Sequence, residues 1–198
     1  MSYSQFTTLK RATDAFNLRV KEEQFFPDIK PIVPSTLLAD YIEDTLPISA
    51  TASEKARSEG IIYPVLLEVR RILNKQISLF SGEDFSIDES VGLNGIVGFL
   101  LSRSPLVLEL QVPVAIIVEA KKADLRSGYG QCVAEMVAAQ RFNLAGNNAI
   151  ATIFGSISNG TQWRFLRLEE DNVTIDLTDY TLPPIGQILG FLVWMMQQ

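Results

Sequence analysis

Apolar residues in this chain occur in short runs that predict a β-sheet in its middle and C-terminal parts. Residues 113–118 are apolar at every position, which is typical of a central strand covered on both faces. Residues 95–101 form a second short apolar run. Residues 149–155 and 162–168 predict two more strands, and the Asn-Gly pair between them is a strong signal for a hairpin turn.

Segments with helical spacing of apolar residues lie around these predicted strands. Residues 53–73 predict a long helix, and Pro64 is expected to kink it. Residues 128–143 predict a second helix, and residues 185–196 predict a third that is almost entirely apolar. Strands interrupted by helices favour an α/β fold, with a central mixed β-sheet flanked by helices, over an all-β fold.

The first fifty residues have a less regular pattern. Residues 7–20 predict a helix that ends near Val20, and Ser35 or Thr36 is a candidate cap for a short helix that continues through Ile42 and Glu43. Prolines interrupt the segment between these two helices. We therefore predict that residues 1–50 are an N-terminal helical or irregular extension, packed on an α/β domain formed by residues 51–198.

The residue types present exclude several classes of active site. The 198 residues include no histidine, which excludes Ser-His-Asp and Cys-His catalysis and histidine metal sites. Cys132 is the one cysteine, so an internal disulfide is impossible and a reducing, cytoplasmic compartment is the simple expectation. A metal cofactor would have to be a hard cation held by oxygen, such as Mg²⁺ or Mn²⁺.

Charge and hydropathy bear on the possible partners. The net charge of -6 argues mildly against nucleic acid, although Lys121, Lys122 and Arg126 form a small basic cluster. We expect no membrane partner, because every apolar run is far shorter than the ~20 residues of a membrane-spanning helix. The apolar segment 188–196 is expected to fill the core, with a homodimer contact as the alternative.

The candidate chemistry lies at the end of the predicted central strand, which reads Val118-Glu119-Ala120-Lys121. Side chains alternate faces along a strand, so Glu119 and Lys121 are expected to point the same way. A carboxylate in this position can hold a divalent cation. The adjacent lysine can position a water molecule or stabilise negative charge on a phosphate.

This arrangement resembles the PD-(D/E)XK nuclease superfamily. Glu119-Ala120-Lys121 matches the E-x-K motif, Gln131 matches the helix glutamine of the RecB-like branch, and Glu59 matches a glutamate that often joins the site. The stretches EKARSEGIIYPVLLEVRR, VEAKK and GYGQCVAEMVAAQ are similar to a group of uncharacterised bacterial proteins of this superfamily. The resemblance covers residues 53–168 and implies a restriction-endonuclease-like three-layer sandwich.

One element of the superfamily pattern is missing. The superfamily places an aspartate on the preceding strand as a main metal ligand beside the glutamate, and here Gly98 occupies that position. The metal site implied by the resemblance is therefore reduced to Glu119. Asn94, Asp88 and Glu109 are possible substitutes, but Asn94 would lie about 13 Å from Gly98 along a regular strand.

Structural explanations compete with the catalytic ones for each candidate residue. Glu119 and Lys121 could be a solvated ion pair at a strand end, and Gln131 a polar residue at a helix N-terminus. Glu59 could pair with Lys55 one turn earlier. The pattern around Glu119 and Lys121 favours the catalytic interpretation for that pair.

Three functions follow from these residues. The favoured hypothesis is a nuclease-like domain whose metal-dependent phosphodiesterase site is degenerate or silent. The first alternative is an active Mg²⁺-dependent DNA endonuclease, in which Glu119 binds the metal, Lys121 positions the attacking water, and Gln131 and Glu59 support the site. The second is a binding or assembly module that keeps the fold without the chemistry.

Overall fold

The fully apolar run near residue 114 lies inside the β-sheet of the computed structural model, which describes residues 2–198. The eight strands are β1 (Arg19–Glu22), β2 (Ser78–Ser81), β3 (Phe99–Ser102), β4 (Val114–Ala120), β5 (Thr152–Ser158), β6 (Gln162–Glu169), β7 (Asn172–Ile175) and β8 (Tyr180–Thr181). All residues of β4 are buried, as a strand covered on both faces requires.

The sheet is open and mixed, with the strand order β1-β7-β6-β5-β4-β3-β2 and with β8 paired to β6. The β4–β5 and β1–β7 pairs are parallel, and the other pairs are antiparallel. The predicted hairpin joins β5 to β6. Gly160 adopts the left-handed φ of 89° that this turn needs, and Asn159 Oδ1 accepts a hydrogen bond from the Gln162 amide at 2.8 Å.

The α-helices are α1 (Leu9–Phe16), α2 (Thr36–Ser49), α3 (Glu54–Arg57), α4 (Tyr63–Ile72), α5 (Tyr129–Ala145) and α6 (Ile185–Gln197). Short 3₁₀ turns lie at Tyr3–Gln5, Glu89–Val91 and Leu125–Gly128. A π-helical turn, Ser58–Ile62, joins α3 to α4 and ends just before Pro64 in the first turn of α4. The irregularity expected from Pro64 therefore lies on its N-terminal side, where a proline is tolerated.

The helix predicted for residues 7–20 is shorter than expected. α1 ends at Phe16 because Asn17 adopts a left-handed conformation, with φ 52°, and stops the helix. The following residues, Arg19–Glu22, form the edge strand β1, paired in parallel with β7. The N-terminal segment thus contributes a strand to the central sheet as well as helices that cover it.

Two hydrophobic clusters lie on opposite faces of the sheet. One face packs against α1 and α5, and its buried residues include Ile117, Leu166 and Val133. The other face packs against α2, α4 and α6. Helices therefore cover both faces of the mixed sheet, as the strand and helix pattern predicted.

The apolar C-terminal helix belongs to the second cluster. Most of its residues are buried within this chain, including Leu189, Leu192 and Met195, so α6 is part of the core. The two aromatic residues Trp163 and Phe165 are also fully buried beneath it. Within residues 2–198, no helix has both the length and the apolar character needed to cross a membrane.

Candidate functional site

Glu119 and Lys121 meet at the end of β4, as the strand parity predicted. Lys121 Nζ donates a hydrogen bond to Glu119 Oε1 at 2.5 Å, which makes a close ion pair. The side chains are 16% exposed for Lys121 and 6% for Glu119. The pair is therefore a largely desolvated element of the structure and not a solvated surface contact.

Helix α5 brings Gln131 to the same pair. Lys121 Nζ also donates to Gln131 Oε1 at 3.3 Å, and Gln131 Nε2 donates to Glu135 Oε1 at 3.0 Å. Gln131 and Glu135 lie four residues apart and so share one face of the helix. The result is a hydrogen-bonded chain that runs from Glu119 through Lys121 and Gln131 to Glu135.

Burial shifts the pKa values of the ionisable groups in this hydrogen-bonded series. Burial raises the pKa of Glu119, and the adjacent Lys121 offsets part of that rise. Burial also opposes the charged form of Lys121, but Glu119, helped by Glu54 and Glu135, outweighs it and raises the pKa of the lysine. Lys121 is therefore held as a cation whose charge is already engaged by a neighbouring carboxylate.

Gly98 lies directly beside this pair, just before β3. A Cβ atom added at Gly98 would lie 3.6 Å from Glu119 Oε2, so this is the position from which a second carboxylate would reach a shared metal. The same Cβ would lie only 2.7 Å from the carbonyl oxygen of Val118, closer than real Cβ contacts allow. The backbone of β4 therefore leaves no space for a side chain at position 98. An aspartate there would require β3 and β4 to move apart.

An open cleft of about 470 Å³ exposes this part of the molecule. Its lining includes Gly98, Glu119 and Gln131 from the predicted site, together with Glu59 and Glu54 from the helical segment. Glu59 lies at the rim, where its side chain is 69% exposed and its carboxylate pairs with Lys55 at 3.7 Å. The structure therefore brings all the predicted site residues to one region, with Glu59 engaged at its margin.

The three possible substitutes for the missing aspartate lie outside this cleft. Asp88 accepts hydrogen bonds from Ser90 and Arg141, and Glu109 is in an exposed loop. The backbone carbonyl of Asn94 accepts the amide of Tyr3. None of these side chains lines the surface that contains Glu119, so the proposed replacements do not supply the second ligand.

Glu119 and the Gly98 carbonyl do not by themselves form a site for a divalent cation. Glu119 is engaged by Lys121, and the backbone carbonyl of Gly98 already accepts the Gly82 amide at 3.0 Å. Within residues 2–198, no group of three or more histidine, cysteine, aspartate or glutamate residues is arranged to hold a metal ion. Mg²⁺ needs near-octahedral oxygen ligation, and Glu119 and Gly98 alone do not offer it.

Sequence reasoning missed two residues of this region. Glu135 is fully buried beneath Gln131, and Glu54 lines the cleft and contributes to the raised pKa values of Glu119 and Lys121. The spacing of Gln131 and Glu135 could have indicated Glu135, since residues four apart share a helix face. Nothing in the local sequence distinguishes Glu54 from other glutamates in a first helical turn.

The remaining basic residues of the strand end, Lys122 and Arg126, are exposed. No protein-family model matches the chain, and the search of curated proteins found no significant match. The contacts of Glu119, Lys121 and Gln131 at the strand end are therefore the basis for assigning a function.

Proposed function

We propose that this chain is a nuclease-like domain of the PD-(D/E)XK type, with a restriction-endonuclease-like sandwich and a silent phosphodiesterase site. The support for the fold is a mixed sheet covered by helices on both faces, with a buried strand that ends in Glu119-Ala120-Lys121. Gln131 on the helix after that strand completes the motif by bonding to Lys121. In this proposal the strand end has a structural role.

The observation that carries the proposal is the contact of Gly98 with β4. The space that a second carboxylate would need is closed by the carbonyl oxygen of Val118. Lys121 supplies the positive charge that Glu119 needs, so the carboxylate is balanced without a metal. Removal of a catalytic group commonly costs several orders of magnitude in rate, so a site without its main metal ligand is expected to be silent.

A second candidate function is an active Mg²⁺-dependent or Mn²⁺-dependent endonuclease, and Glu54 is the observation that favours it. Glu54 lines the same cleft as Glu119 and acts electrostatically on both members of the ion pair. Mg²⁺ can be held by one or two carboxylates when substrate phosphates supply further ligands. In this alternative, nucleic acid is the substrate, and Glu54 replaces the aspartate that is missing at Gly98.

Cleavage assays and metal titrations test the proposal together. The full chain is incubated with supercoiled plasmid and with single-stranded and duplex oligonucleotides, in Mg²⁺ or Mn²⁺. We expect no cleavage above that of the Glu119→Gln/Lys121→Met double variant, purified in the same way. Calorimetry is expected to show no saturable binding of either cation at millimolar concentration.

The double variant is the appropriate control because it removes both charges at once. A single substitution would leave one buried charge without a partner and would itself destabilise the protein. Metal-dependent cleavage by the natural chain that disappears in the double variant would overturn the proposal. If that cleavage were also lost in Glu54→Gln, the second candidate function would be established.

A further inference from the structure

A separate pocket lies between α2 and α4, outside the cleft that Glu119 lines. It has a volume of about 240 Å³, and its walls are mainly the apolar faces of Leu37, Tyr41, Tyr63 and Leu67. Leu37 is 57% exposed and Tyr41 is 42% exposed, so no other part of the chain covers these two side chains. An apolar pocket with a few polar groups is the usual form of a small-molecule site.

One charged group reaches into this apolar pocket. Glu68 lines it although the residue is only 4% exposed. Glu68 Oε1 accepts a hydrogen bond from the Ser35 amide at 2.8 Å, which fixes the carboxylate against the start of α2. Glu68 Oε2 accepts no hydrogen bond from any residue between 2 and 198, and the nearest cation, Arg71 Nη1, is 4.0 Å away.

A buried carboxylate with one oxygen that accepts no hydrogen bond, and that has only a long ion pair with Arg71, selects the chemistry of a ligand. Burial removes water from Glu68, so a donor that reaches Oε2 gains more than it would at the surface. Glu59 is paired with Lys55 at 3.7 Å, whereas Glu68 has only the long 4.0 Å contact with Arg71, so Glu68 Oε2 remains an acceptor without a hydrogen-bond donor. The pocket therefore favours a positively charged head group over an anion.

We propose that the pocket between α2 and α4 binds a small organic amine, with an aromatic or branched-alkyl body and a protonated amino group. The apolar body would pack between Tyr41, Tyr63 and Leu67, and the ammonium would donate a charge-assisted hydrogen bond to Glu68 Oε2. The volume is below the ~300–1,000 Å³ of sites for drug-sized ligands, which suits a single ring with a short side chain.

This inference is independent of the proposed function. Glu59 lines both the pocket and the neighbouring cleft, but Glu119 lines only the cleft and Lys121 lines neither. Loss of phosphodiesterase chemistry would therefore leave the amine pocket unchanged. Conversely, if the protein cleaves nucleic acid but does not bind the amine, the proposal on the pocket is overturned. The assignment of the cleft is then judged by the cleavage assays alone.

Isothermal titration calorimetry with phenethylamine tests the proposal, with phenethyl alcohol and phenylacetate as the neutral and anionic counterparts. We expect saturable one-to-one binding of the amine, and at least about tenfold weaker binding of the other two, because a hydrogen bond to a charged group is involved. Glu68→Gln is expected to weaken amine binding by about tenfold. The glutamine oxygen can still accept the Ser35 amide, so the fold is retained.

Two further variants separate a specific site from adventitious binding. Asp40→Asn removes an exposed carboxylate from α2 that does not line the pocket, and it is expected to leave amine binding unchanged. Leu67→Trp fills the pocket and is expected to abolish binding. Equal affinity for the amine and the alcohol, unchanged affinity in Glu68→Gln, or no binding of the amine would each overturn the proposal.

Discussion

Glu135 is a carboxylate that is fully buried beneath the candidate site. Its Oε1 atom accepts a hydrogen bond from Gln131, whereas its Oε2 atom is buried with no hydrogen-bond partner among residues 2–198. Burial, and then the negative charge of Glu119, raise the pKa of Glu135 well above its ordinary value. The folded protein therefore holds a proton on this group more tightly than the unfolded chain does.

The free energy of unfolding should consequently depend on pH through Glu135. It should fall as the pH rises from the ordinary glutamate pKa through the raised one, by about 1.4 kcal/mol per pH unit. Glu135→Gln keeps an oxygen for Gln131 but cannot ionise, so we expect the variant to be more stable than the natural chain above that range. Urea denaturation from pH 4 to pH 8 measures the effect, and parallel pH profiles for the two proteins would contradict it.

The residue scale also shows what the sequence can and cannot predict about the site. Strand alternation was enough to place Glu119 and Lys121 on one side. The resemblance to the nuclease pattern, and not the spacing, pointed to Gln131 and to Gly98 as the position of the missing carboxylate. It could not show that the carbonyl oxygen of Val118 closes that space, because such a contact depends on how two strands pack.

At the scale of secondary-structure elements, α5 is the helix that positions the site, and it is attached near both ends. Gly130, near its start, packs so closely on the backbone of Phe6 and Thr8 that no side chain would fit. Near its other end, the buried Asn143 donates to the Val114 carbonyl at 2.8 Å and accepts from the Val114 amide at 2.7 Å. These contacts fix the helix along β4 and thereby fix Gln131 beside Lys121.

Asn143→Ala should therefore destabilise the protein by about 2–4 kcal/mol. The substitution leaves the amide and carbonyl of Val114 buried without partners and also leaves a small cavity. Thermal and urea unfolding measure the loss. Asn148→Ala, an exposed position just beyond the same helix, is the matched control and should be nearly neutral. Equal effects of the two substitutions would show that the side-chain contacts to Val114 do not stabilise the fold.

Elements with long and regular patterns were predicted well, and short ones were not. The fully apolar β4, the hairpin between β5 and β6, and the helices α5 and α6 have strong periodic or turn signals. The short edge strands β1 and β2 have none, since Arg19–Glu22 is fully exposed and Ser78–Ser81 begins and ends with serine. Their strand conformation is imposed by pairing with β7 and β3, which the local sequence does not encode.

At the scale of the whole molecule, the first fifty residues are joined to the sheet and to both of its covered faces. β1 pairs with β7, Tyr3 and Phe6 are buried with α5 in one cluster, and Leu38 and Ile42 are buried in the other. The division of the chain at residue 50 therefore separates segments that share one core. Covering helices and an edge strand cannot be removed without exposing apolar surface to water.

A chain shortened to residues 51–198 should consequently fail to fold cooperatively. We expect broad, low-amplitude thermal unfolding and a weak near-ultraviolet circular dichroism signal, because both core clusters lose part of their cover. A chain that lacks only the exposed Gln198 is the control and should unfold in one sharp transition. Sharp two-state unfolding of the 51–198 chain would show that the N-terminal segment is a dispensable extension.

The pairing of β1 with β7 also has a consequence for synthesis of the protein. Arg19 is paired with Asn172, so this edge of the sheet cannot form until the residues through β7 have left the ribosome. Contacts between residues far apart in sequence are slow to form because long loops must close first. During translation the segment before α2 must therefore wait without its strand partner.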